Sequence, residues 1–241
     1  MTEPTVALVT GANKGIGYEI AAQLGALGWT VGVGARDPER RDAAVAKLRA
    51  DGTDAFGVAL DVTVQSTVDA AAALLDERFG HLDALINNAG VIGGDPQLPS
   101  TVDLSVVQAA VDTNVYGVIR VTNAMLPLLR RSSAPRIVNM SSSVGSFAAQ
   151  LTPDGPISGM PASAAYVPSK AFLNAVTVQY AKELTGMLVN AACPGYCATD
   201  LTHHSGFRTP AQGAAIAVRL ATLSANGPTG HFFNDDGPVA W

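Results

Sequence analysis

The strongest fold signal in this chain is the sequence Val6-Ala7-Leu8-Val9-Thr10-Gly11-Ala12-Asn13-Lys14-Gly15-Ile16-Gly17. Its first four residues are an apolar run, which is typical of a strand buried on both faces of a parallel sheet. Three glycines follow in the spacing Gly-x-x-x-Gly-x-Gly, and a helical pattern begins at Gly15. Glycine spacing alone is a weak signal, because glycines also mark ordinary turns, but its place between strand and helix strengthens it.

The glycines have three functions in such a unit. They allow a tight turn, a close approach of the backbone to a pyrophosphate, and close packing of the helix on the sheet. The free N–H groups and the positive dipole end of the helix N-terminus favour phosphate. We therefore predict a dinucleotide-binding unit whose cofactor contacts include Gly11, Asn13, Lys14, Gly15, Ile16 and Gly17.

Short apolar runs alternate with longer helical patterns along the whole chain. The runs predict strands at 6–9, 30–34, 55–60, 82–86, 136–140, 188–192 and 230–233, and the helical patterns lie at 15–27, 38–50, 64–79, 103–131, 164–184 and 209–224. This alternation predicts an α/β fold, a Rossmann-type doubly wound parallel sheet of seven strands in the order 3-2-1-4-5-6-7 with helices on both faces. With 241 residues, 48% of them hydrophobic, we expect a single domain over 1–241.

Composition excludes several other classes of protein. A net charge of −5 is not that of a nucleic-acid-binding surface, and no apolar run reaches the length of a membrane span. Residues 1–4 lead straight into the first strand, so we expect no signal peptide and a cytoplasmic protein. Cys193 and Cys197 are too few for a disulfide framework, and the histidines show no zinc spacing, so we expect no metal and structural or pocket-lining cysteines.

The end of the second strand bears on the choice of dinucleotide. A carboxylate there binds the ribose hydroxyls of NAD, whereas an arginine suits the 2′-phosphate of NADP. Ala35 stands where the acid would be and Arg36 follows it, while Lys14 adds a second cation. The alternatives are solvated cations and a ribose-binding Asp37, but Asp37 precedes Pro38 as a helix N-cap does. We predict NADP(H).

Tyr166 and Lys170 form a candidate acid–base pair. Their i, i+4 spacing places them on one face of the helix at 164–184, where an ammonium would lower the tyrosine pKa from about 10. The spacing alone is common, but Ser141-Ser142-Ser143 follows the strand at 136–140, where a hydroxyl can hydrogen-bond a substrate carbonyl. Asn114 interrupts a helical stretch, in which asparagine is a mediocre helix former.

These motifs together resemble the short-chain dehydrogenase/reductase family, over nearly the whole chain and in the family's order. The matching pieces are residues 10–17, Asp61-Val62, 87–90, Asn114, the serines after Val138-Asn139-Met140, Tyr166-x-x-x-Lys170, and Pro194-Gly195 with Thr199. The resemblance implies that Tyr166 donates a proton to the carbonyl and that Lys170 holds the nicotinamide ribose. It further implies that Ser142, rather than its neighbours, polarises the carbonyl, and that Asn114 holds a water linking Lys170 to solvent.

The resemblance also implies the remaining cofactor contacts. Asp61 and Val62 would face the adenine, and Asn88, Ala89 and Gly90 would flank the adenosine side, while Pro194, Gly195 and Thr199 would hold the nicotinamide and its carboxamide. Residues 11–17, 189–195 and 227–232 are similar to the carbonyl reductase subgroup, which reduces ketones and aldehydes with NADPH.

Two departures from the family pattern concern the substrate side. The spacing from Ser142 to Tyr166 is long, and its extra piece near 151–163 is rich in Pro, Gly and Ser, so we predict a loop beside the site. In the subgroup such an insertion covers a tetramer-forming face, which leaves monomer and homo-oligomer both open. The segment 200–208 is short, so we expect an open substrate pocket. Its predicted walls are Val144 and Tyr196, and Ile92, Phe147 and Met160 are further candidates for the pocket lining. Each of these residues is equally plausible as part of the hydrophobic core.

The leading hypothesis is an NADPH-dependent carbonyl reductase that acts on a small-molecule ketone or aldehyde, without nucleic-acid or membrane partners. The alternative within the class is an NAD-linked secondary alcohol dehydrogenase working in the oxidative direction. A redox-sensing binding module is disfavoured because Asn114, Ser142, Tyr166 and Lys170 are all present. A sugar-nucleotide epimerase would need an extra C-terminal region, which we do not expect after the strand at 230–233.

Overall fold

The computed structural model describes residues 3–155 and 157–241. Within these residues one sheet has the strand order β3-β2-β1-β4-β5-β6-β7-β8. The strands are β1 Val6–Thr10, β2 Thr30–Ala35, β3 Ala55–Ala59, β4 Ala84–Asn87, β5 Arg136–Met140, β6 Leu188–Ala192, β7 Phe232–Asn234 and β8 Gly237–Pro238. The first seven are parallel, which confirms the predicted order. The sequence reading missed β8, a two-residue strand antiparallel to β7, because so short a segment has no apolar periodicity.

Helices cover both faces of the sheet. They are α1 Gly15–Ala26, α2 Pro38–Ala50, α3 Gln65–Phe79, α4 Leu104–Val111, α5 Gly117–Leu129, α6 Phe147–Leu151, α7 Tyr166–Glu183 and α8 Pro210–Ala221. The Asp37 side chain accepts a hydrogen bond from the Arg40 N–H at 3.0 Å, so the predicted N-cap of α2 is confirmed. Of these helices in the described residues, none is long and apolar enough to cross a bilayer.

Alternate residues of the central strand β1 serve two separate cores. Val9 packs in the core that contains Ile20 of α1, whereas Leu8 packs in the opposite core with Leu75 of α3. All four side chains are fully buried, and each such burial contributes about 1.5–3 kcal/mol before chain entropy is subtracted. Because both faces of β1 are covered, the strand reads as a continuous apolar run in the sequence.

The long helical pattern at 103–131 is interrupted in the structure. A π-helical turn at Asp112–Tyr116 separates α4 from α5 and places Asn114 at its centre. A π turn widens the helix by one residue and is found often at functional sites. The single helical pattern predicted at 103–131 is therefore two helices in the structure, joined by this turn.

A buried ladder of polar side chains lies below the carboxyl edge of the sheet. Asn87 Nδ2 on β4 donates to Asn139 Oδ1 on β5 at 2.9 Å, and Asn139 Nδ2 donates to Thr177 Oγ1 on α7 at 2.9 Å. Buried polar groups of this kind need partners, so the ladder fixes the relative position of the three elements. Since α7 begins at Tyr166, the ladder also fixes the helix that carries the candidate acid–base pair.

The segment between α6 and α7 is the predicted loop at 151–163. No helix or strand is found in its described part beyond Leu151, and Pro156 lies outside the described residues. The side chain of Gln97 ties the far end of this loop to α7. Gln97 Oε1 accepts from the Tyr166 N–H at 3.1 Å and from the Ser163 hydroxyl, and the Gln97 carbonyl accepts from the Ala164 N–H at 2.8 Å.

Candidate active site

A cleft of about 560 Å³ opens at the carboxyl edge of the sheet, where β1 and β4 meet. This is the edge at which strand order reverses, as the sequence predicts for a nucleotide site. Predicted residues that line it are Gly11, Asn13, Lys14, Gly15, Ile16, Gly17, Arg36, Asp61, Val62, Asn88, Ala89, Gly90, Tyr166, Lys170, Pro194 and Thr199. Asn114, Ser142, Val144, Gly195 and Tyr196 are not part of its lining.

The N-terminus of α1 faces this cleft without a side-chain cap. Its N-cap residue, Lys14, makes no side-chain cap hydrogen bond, and the first turn contains no acidic residue. By contrast, α2 and α8 are capped by Asp37 and Thr209. The first N–H groups of α1 therefore have the geometry that suits an external anion, and the residues present fit the phosphates of a dinucleotide.

Close packing explains why the glycine loop has its particular residues. A Cβ on Gly17 would lie 2.4 Å from Asn88 Nδ2 and 2.5 Å from the Gly11 carbonyl oxygen. Asn88 Nδ2 donates to the Thr10 carbonyl at 2.9 Å, and Gly11 has a φ of +64°. A side chain at position 17 would push the loop away from β4, so this glycine fixes the cleft's floor.

The adenosine end of the cleft carries more positive charge than the sequence analysis recognised. Arg36 is exposed directly after β2. Burial raises the pKa of Asp61, but hydrogen bonds from the hydroxyl and N–H of Thr63 lower it, the Arg36 charge adds to this decrease, and the net effect is a lowered pKa. Arg40, on the first turn of α2, also lines the cleft, with its Nε 3.5 Å from Asp37 Oδ2. The sequence analysis missed Arg40. Its position could have indicated it, because it lies four residues after Arg36, on a helix that begins next to the end of β2.

Tyr166 and Lys170 lie together as predicted, with Lys170 Nζ 5.6 Å from the centre of the tyrosine ring. Lys170 is 5% exposed and its ammonium donates to the Met140 carbonyl at 2.8 Å. Burial lowers the pKa of Lys170 to about 8. Burial raises the pKa of Tyr166 to about 12, the Cys193 sulfur adds to the rise, and a hydrogen bond with Ser142 opposes it. The expected lowering of the Tyr166 pKa is therefore wrong for this structure, because desolvation of the phenol outweighs the opposing effects.

Of the three consecutive serines, Ser142 is the one whose hydroxyl lowers the pKa of Tyr166, against the larger effect of burial. Its hydroxyl also accepts from the Val144 N–H at 3.4 Å. Ser141 donates to Asn174 Oδ1 at 2.5 Å, and the Ser143 N–H donates to Cys193 Sγ at 3.3 Å. The catalytic role of Ser142 stays a prediction.

The turn that follows Ser142 packs directly on α7. A Cβ on Gly145 would lie 2.6 Å from the carbonyl carbon of Lys170 and 2.9 Å from the nitrogen of Ala171. Only a residue without a side chain allows this approach. Gly145 therefore sets the short distance between the serine turn and the helix that carries Tyr166 and Lys170.

Asn114 is fully buried and its side-chain amide is occupied by protein partners. Oδ1 accepts from the Val91 N–H at 2.9 Å, and Nδ2 donates to the Val91 carbonyl at 2.8 Å and to Ser169 Oγ at 2.9 Å. Both amide hydrogens are used, so the side chain has none left to donate to a water. The water-holding role that the resemblance implies remains a prediction, and it would fall to the backbone carbonyl within the π turn.

Replacing Asn114 tests how much its side-chain hydrogen bonds to Val91 and Ser169 stabilise the fold. We expect Asn114→Ala to lower the free energy of unfolding by about 2–4 kcal/mol, because it leaves the buried Val91 N–H and carbonyl without their partners. Asn123→Ala is the control; its side chain is exposed and accepts one hydrogen bond, from the Tyr180 hydroxyl. Urea denaturation followed by circular dichroism compares the two. Equal losses in both variants would show that the three buried hydrogen bonds of Asn114 add little.

The segment after β6 lies against the glycine loop. A Cβ on Gly15 would lie 3.5 Å from the Thr199 methyl group, and Gly195 has a φ of +74° with Arg208 Cδ 2.6 Å from its Cβ position. Thr199 and Thr202 form a reciprocal capping box around the short helical turn Asp200–Thr202. This fixed segment forms the wall opposite the glycine loop, so Pro194 and Thr199 line the cleft as predicted, whereas Gly195 supports its shape.

The side chains predicted to line the substrate pocket differ in their exposure to solvent. Val144 is buried beside the serine turn, whereas Tyr196 is half exposed, with its ring 6.2 Å from that of the exposed Phe207. Phe147 and Met160 are exposed as well. Their contact with substrate stays a prediction. Both cysteines are buried and unpaired, and residues 3–155 and 157–241 contain no cluster of His, Cys, Asp and Glu suited to a metal.

Comparisons with known proteins show which protein family this chain belongs to. The family model described as short chain dehydrogenase matches residues 5–208. Salutaridine reductase of Papaver bracteatum and (-)-isopiperitenone reductase of Mentha piperita are each 34% identical, over 97% of this chain and 95% and 97% of their own lengths. The chain belongs to the short-chain dehydrogenase/reductase family. It is therefore an oxidoreductase that acts on alcohol or carbonyl groups with a nicotinamide cofactor.

Solved structures agree with this assignment. The NADPH-bound carbonyl reductase from chicken fatty liver has a TM-score of 0.87 at 28% identity and is covered over 100% of both chains. Salutaridine reductase from Papaver somniferum has a TM-score of 0.84 at 30% identity, over 96% of this chain and 99% of that one.

Proposed function

We propose that this protein is an NADPH-dependent carbonyl reductase that converts a ketone or aldehyde into the alcohol. The observation that carries the proposal is the position of Tyr166 beside the buried Lys170, whose Nζ lies 5.6 Å from the centre of the tyrosine ring, in the lining of the nucleotide cleft. The names of the relatives support it, since the two plant enzymes and the chicken protein are all called reductases. When bound, NADPH supplies the hydride for the carbonyl carbon.

Tyr166 is protonated at neutral pH, as the proton donor of a carbonyl reductase must be. It can then donate its proton to a carbonyl oxygen. Ser142 would orient the same oxygen, and Lys170, whose pKa is about 8, would hold a proton close to the phenol. The arginines Arg36 and Arg40 that line the adenosine end make the NAD-linked alcohol dehydrogenase the weaker alternative.

The charge at the adenosine end supports NADP rather than NAD. Arg36, directly after β2, and Arg40, on α2, both line the cleft, while Asp37, the acid between them, accepts a hydrogen bond as the N-cap of α2. The first-turn N–H groups of α1 would hold the pyrophosphate, and Arg36 with Lys14 would hold the 2′-phosphate. Asp61 and Val62 would face the adenine, residues 88–90 the adenosine side, and Pro194, Gly195 and Thr199 the nicotinamide.

Replacing Arg36 tests the cofactor assignment. We expect Arg36→Ser to lower the ratio of kcat/KM with NADPH to that with NADH by about ten- to a hundredfold, because a charge-assisted hydrogen bond to the 2′-phosphate is lost. Arg130→Ser is the control, since Arg130 is exposed after α5 and does not line the cleft. A wild-type protein that prefers NADH would contradict the assignment.

The activity itself is tested with a panel of ketones and aldehydes. The panel includes monocyclic and polycyclic ketones, and turnover is followed by the loss of NADPH absorbance. We expect measurable reduction of several panel members. NADPH binding without consumption for any of them would instead support a redox-sensing binding module.

A further inference from the structure

The two walls of the nucleotide cleft are joined by an ion pair. The Lys14 ammonium on the glycine loop binds Asp200 Oδ2 on the segment after β6, 186 residues further along the chain. The other carboxylate oxygen, Asp200 Oδ1, lies 3.1 Å from His204 Nε2. The Lys14 and Asp200 side chains are 53% and 56% exposed, and both line the cleft. The pair therefore crosses the mouth of the cleft beside the uncapped N-terminus of α1.

Asp200 differs from the other acids that line the cleft. Asp37 caps α2, and Asp61 Oδ1 accepts from the N–H and hydroxyl of Thr63, so both carboxylates hold the backbone in place. In the described residues, the Asp200 carboxylate instead contacts two side chains, the Lys14 ammonium and the His204 imidazole, which is positively charged when protonated. The turn that carries it is held instead by the capping box of Thr199 and Thr202. Its carboxylate is thus dispensable for the local fold.

The place of this carboxylate is one where a dinucleotide phosphate would bind. Lys14 is the N-cap residue of α1, and Asp200 lines the same cavity as Gly15, Ile16 and Gly17. A helix N-terminus and an ammonium attract a carboxylate for the same electrostatic reason that they attract a phosphate. The hydrogen bond from Lys14 and its charge lower the pKa of Asp200, so the carboxylate is ionised at neutral pH.

We propose that Asp200 is an internal competitor of the dinucleotide for Lys14, so that cofactor binding exchanges the carboxylate for a phosphate on this ammonium. The inference rests on the proposed function, since it requires a dinucleotide in the cleft. Asp200 is then a specificity-determining residue that weakens cofactor binding, and the exchange releases the connection between the two walls. Removing its charge leaves Lys14 free for the phosphate, so affinity for the cofactor rises.

The test is the NADPH dissociation constant of Asp200→Asn, measured by isothermal titration calorimetry. We expect binding about two- to fivefold tighter than wild type, as for the loss of one competing exposed ion pair. Asp76→Asn is the matched control. It removes the same charge from a side chain of 60% exposure that is paired with Arg131 away from the cleft, and we expect an unchanged dissociation constant.

A Lys14→Met background separates competition for Lys14 from general repulsion. In that background Asp200→Asn should change the NADPH dissociation constant by less than about twofold. A comparison with NADH identifies the phosphate: a gain confined to NADPH indicates the 2′-phosphate, and an equal gain indicates the pyrophosphate. Unchanged affinity in Asp200→Asn, or the same gain with and without Lys14, would overturn the inference alone. A wild-type protein that binds neither dinucleotide would overturn the proposed function as well.

Discussion

Tyr166→Phe is expected to lower kcat for ketone reduction by about 10²–10⁴-fold, the usual contribution of a positioned general acid. The variant lacks only the phenolic hydroxyl, and the ring keeps its place at the start of α7. We therefore expect the NADPH dissociation constant to stay within about threefold of the wild-type value, because no charged contact to a phosphate is removed. Steady-state kinetics and calorimetric titration measure the two quantities.

Tyr180→Phe is the matched control for this variant. Tyr180 lies on the same helix, burial also raises its pKa to about 12, and its hydroxyl donates to Asn123 Oδ1 at 2.8 Å rather than facing the cleft. We expect an unchanged kcat and a loss of stability of about 1 kcal/mol from the missing hydrogen bond. Near wild-type turnover in Tyr166→Phe would exclude the phenol as the proton donor.

Lys170→Met is expected to combine a loss of turnover of about 10²-fold or more with a changed dependence of stability on pH. The pKa of Lys170 is about 8 in the fold, against 10.5 for an ordinary lysine. Between these values the unfolded chain binds more protons than the folded one, so the wild-type free energy of unfolding rises with pH. The rise amounts to about 3 kcal/mol if the whole shift is realised. The variant has no such group, so its stability should not rise in this interval.

The comparison is made between pH 8 and pH 9.5, below the pKa of about 10 at which Tyr166 and Tyr180 titrate in the unfolded chain. Urea denaturation at each pH gives the free energy of unfolding of wild type and variant. Lys182→Met is the control, because Lys182 is exposed in the last turn of the same helix. It should keep both the turnover and the pH dependence of the wild type. A wild-type curve parallel to that of Lys170→Met would show that the Lys170 pKa is not lowered.

Local patterns were enough for much of the fold. The glycine spacing after β1, the Asp37–Pro38 start of α2 and the continuous apolar strands each depend on residues that are neighbours in the chain, and the structure confirms them. The two-residue strand β8 and the π turn around Asn114 were not predicted in this form. Neither has a periodicity of its own, since each is held by packing against elements elsewhere in the fold.

The geometry of the candidate site could be predicted from the sequence, but its ionisation could not. The i, i+4 spacing places Tyr166 and Lys170 on one helical face, and Ser142 follows its strand, so their approach could be expected from the sequence. The ionisation of the pair could not. It depends on how much water the surrounding chain excludes, and this exclusion raises the Tyr166 pKa where the sequence predicted a decrease.

The strand–loop–helix unit at Val6–Gly17 and the alternation of strands and helices could be read from the chain, because they follow from local periodicity and short spacings. The contacts of Asn114 with Val91 and Ser169, and of Lys14 with Asp200, become visible in the folded protein. These contacts join residues that are far apart along the chain. Partners 186 residues apart leave no pattern in the sequence, and they meet only because parallel strands deliver their loops to the same edge of the sheet.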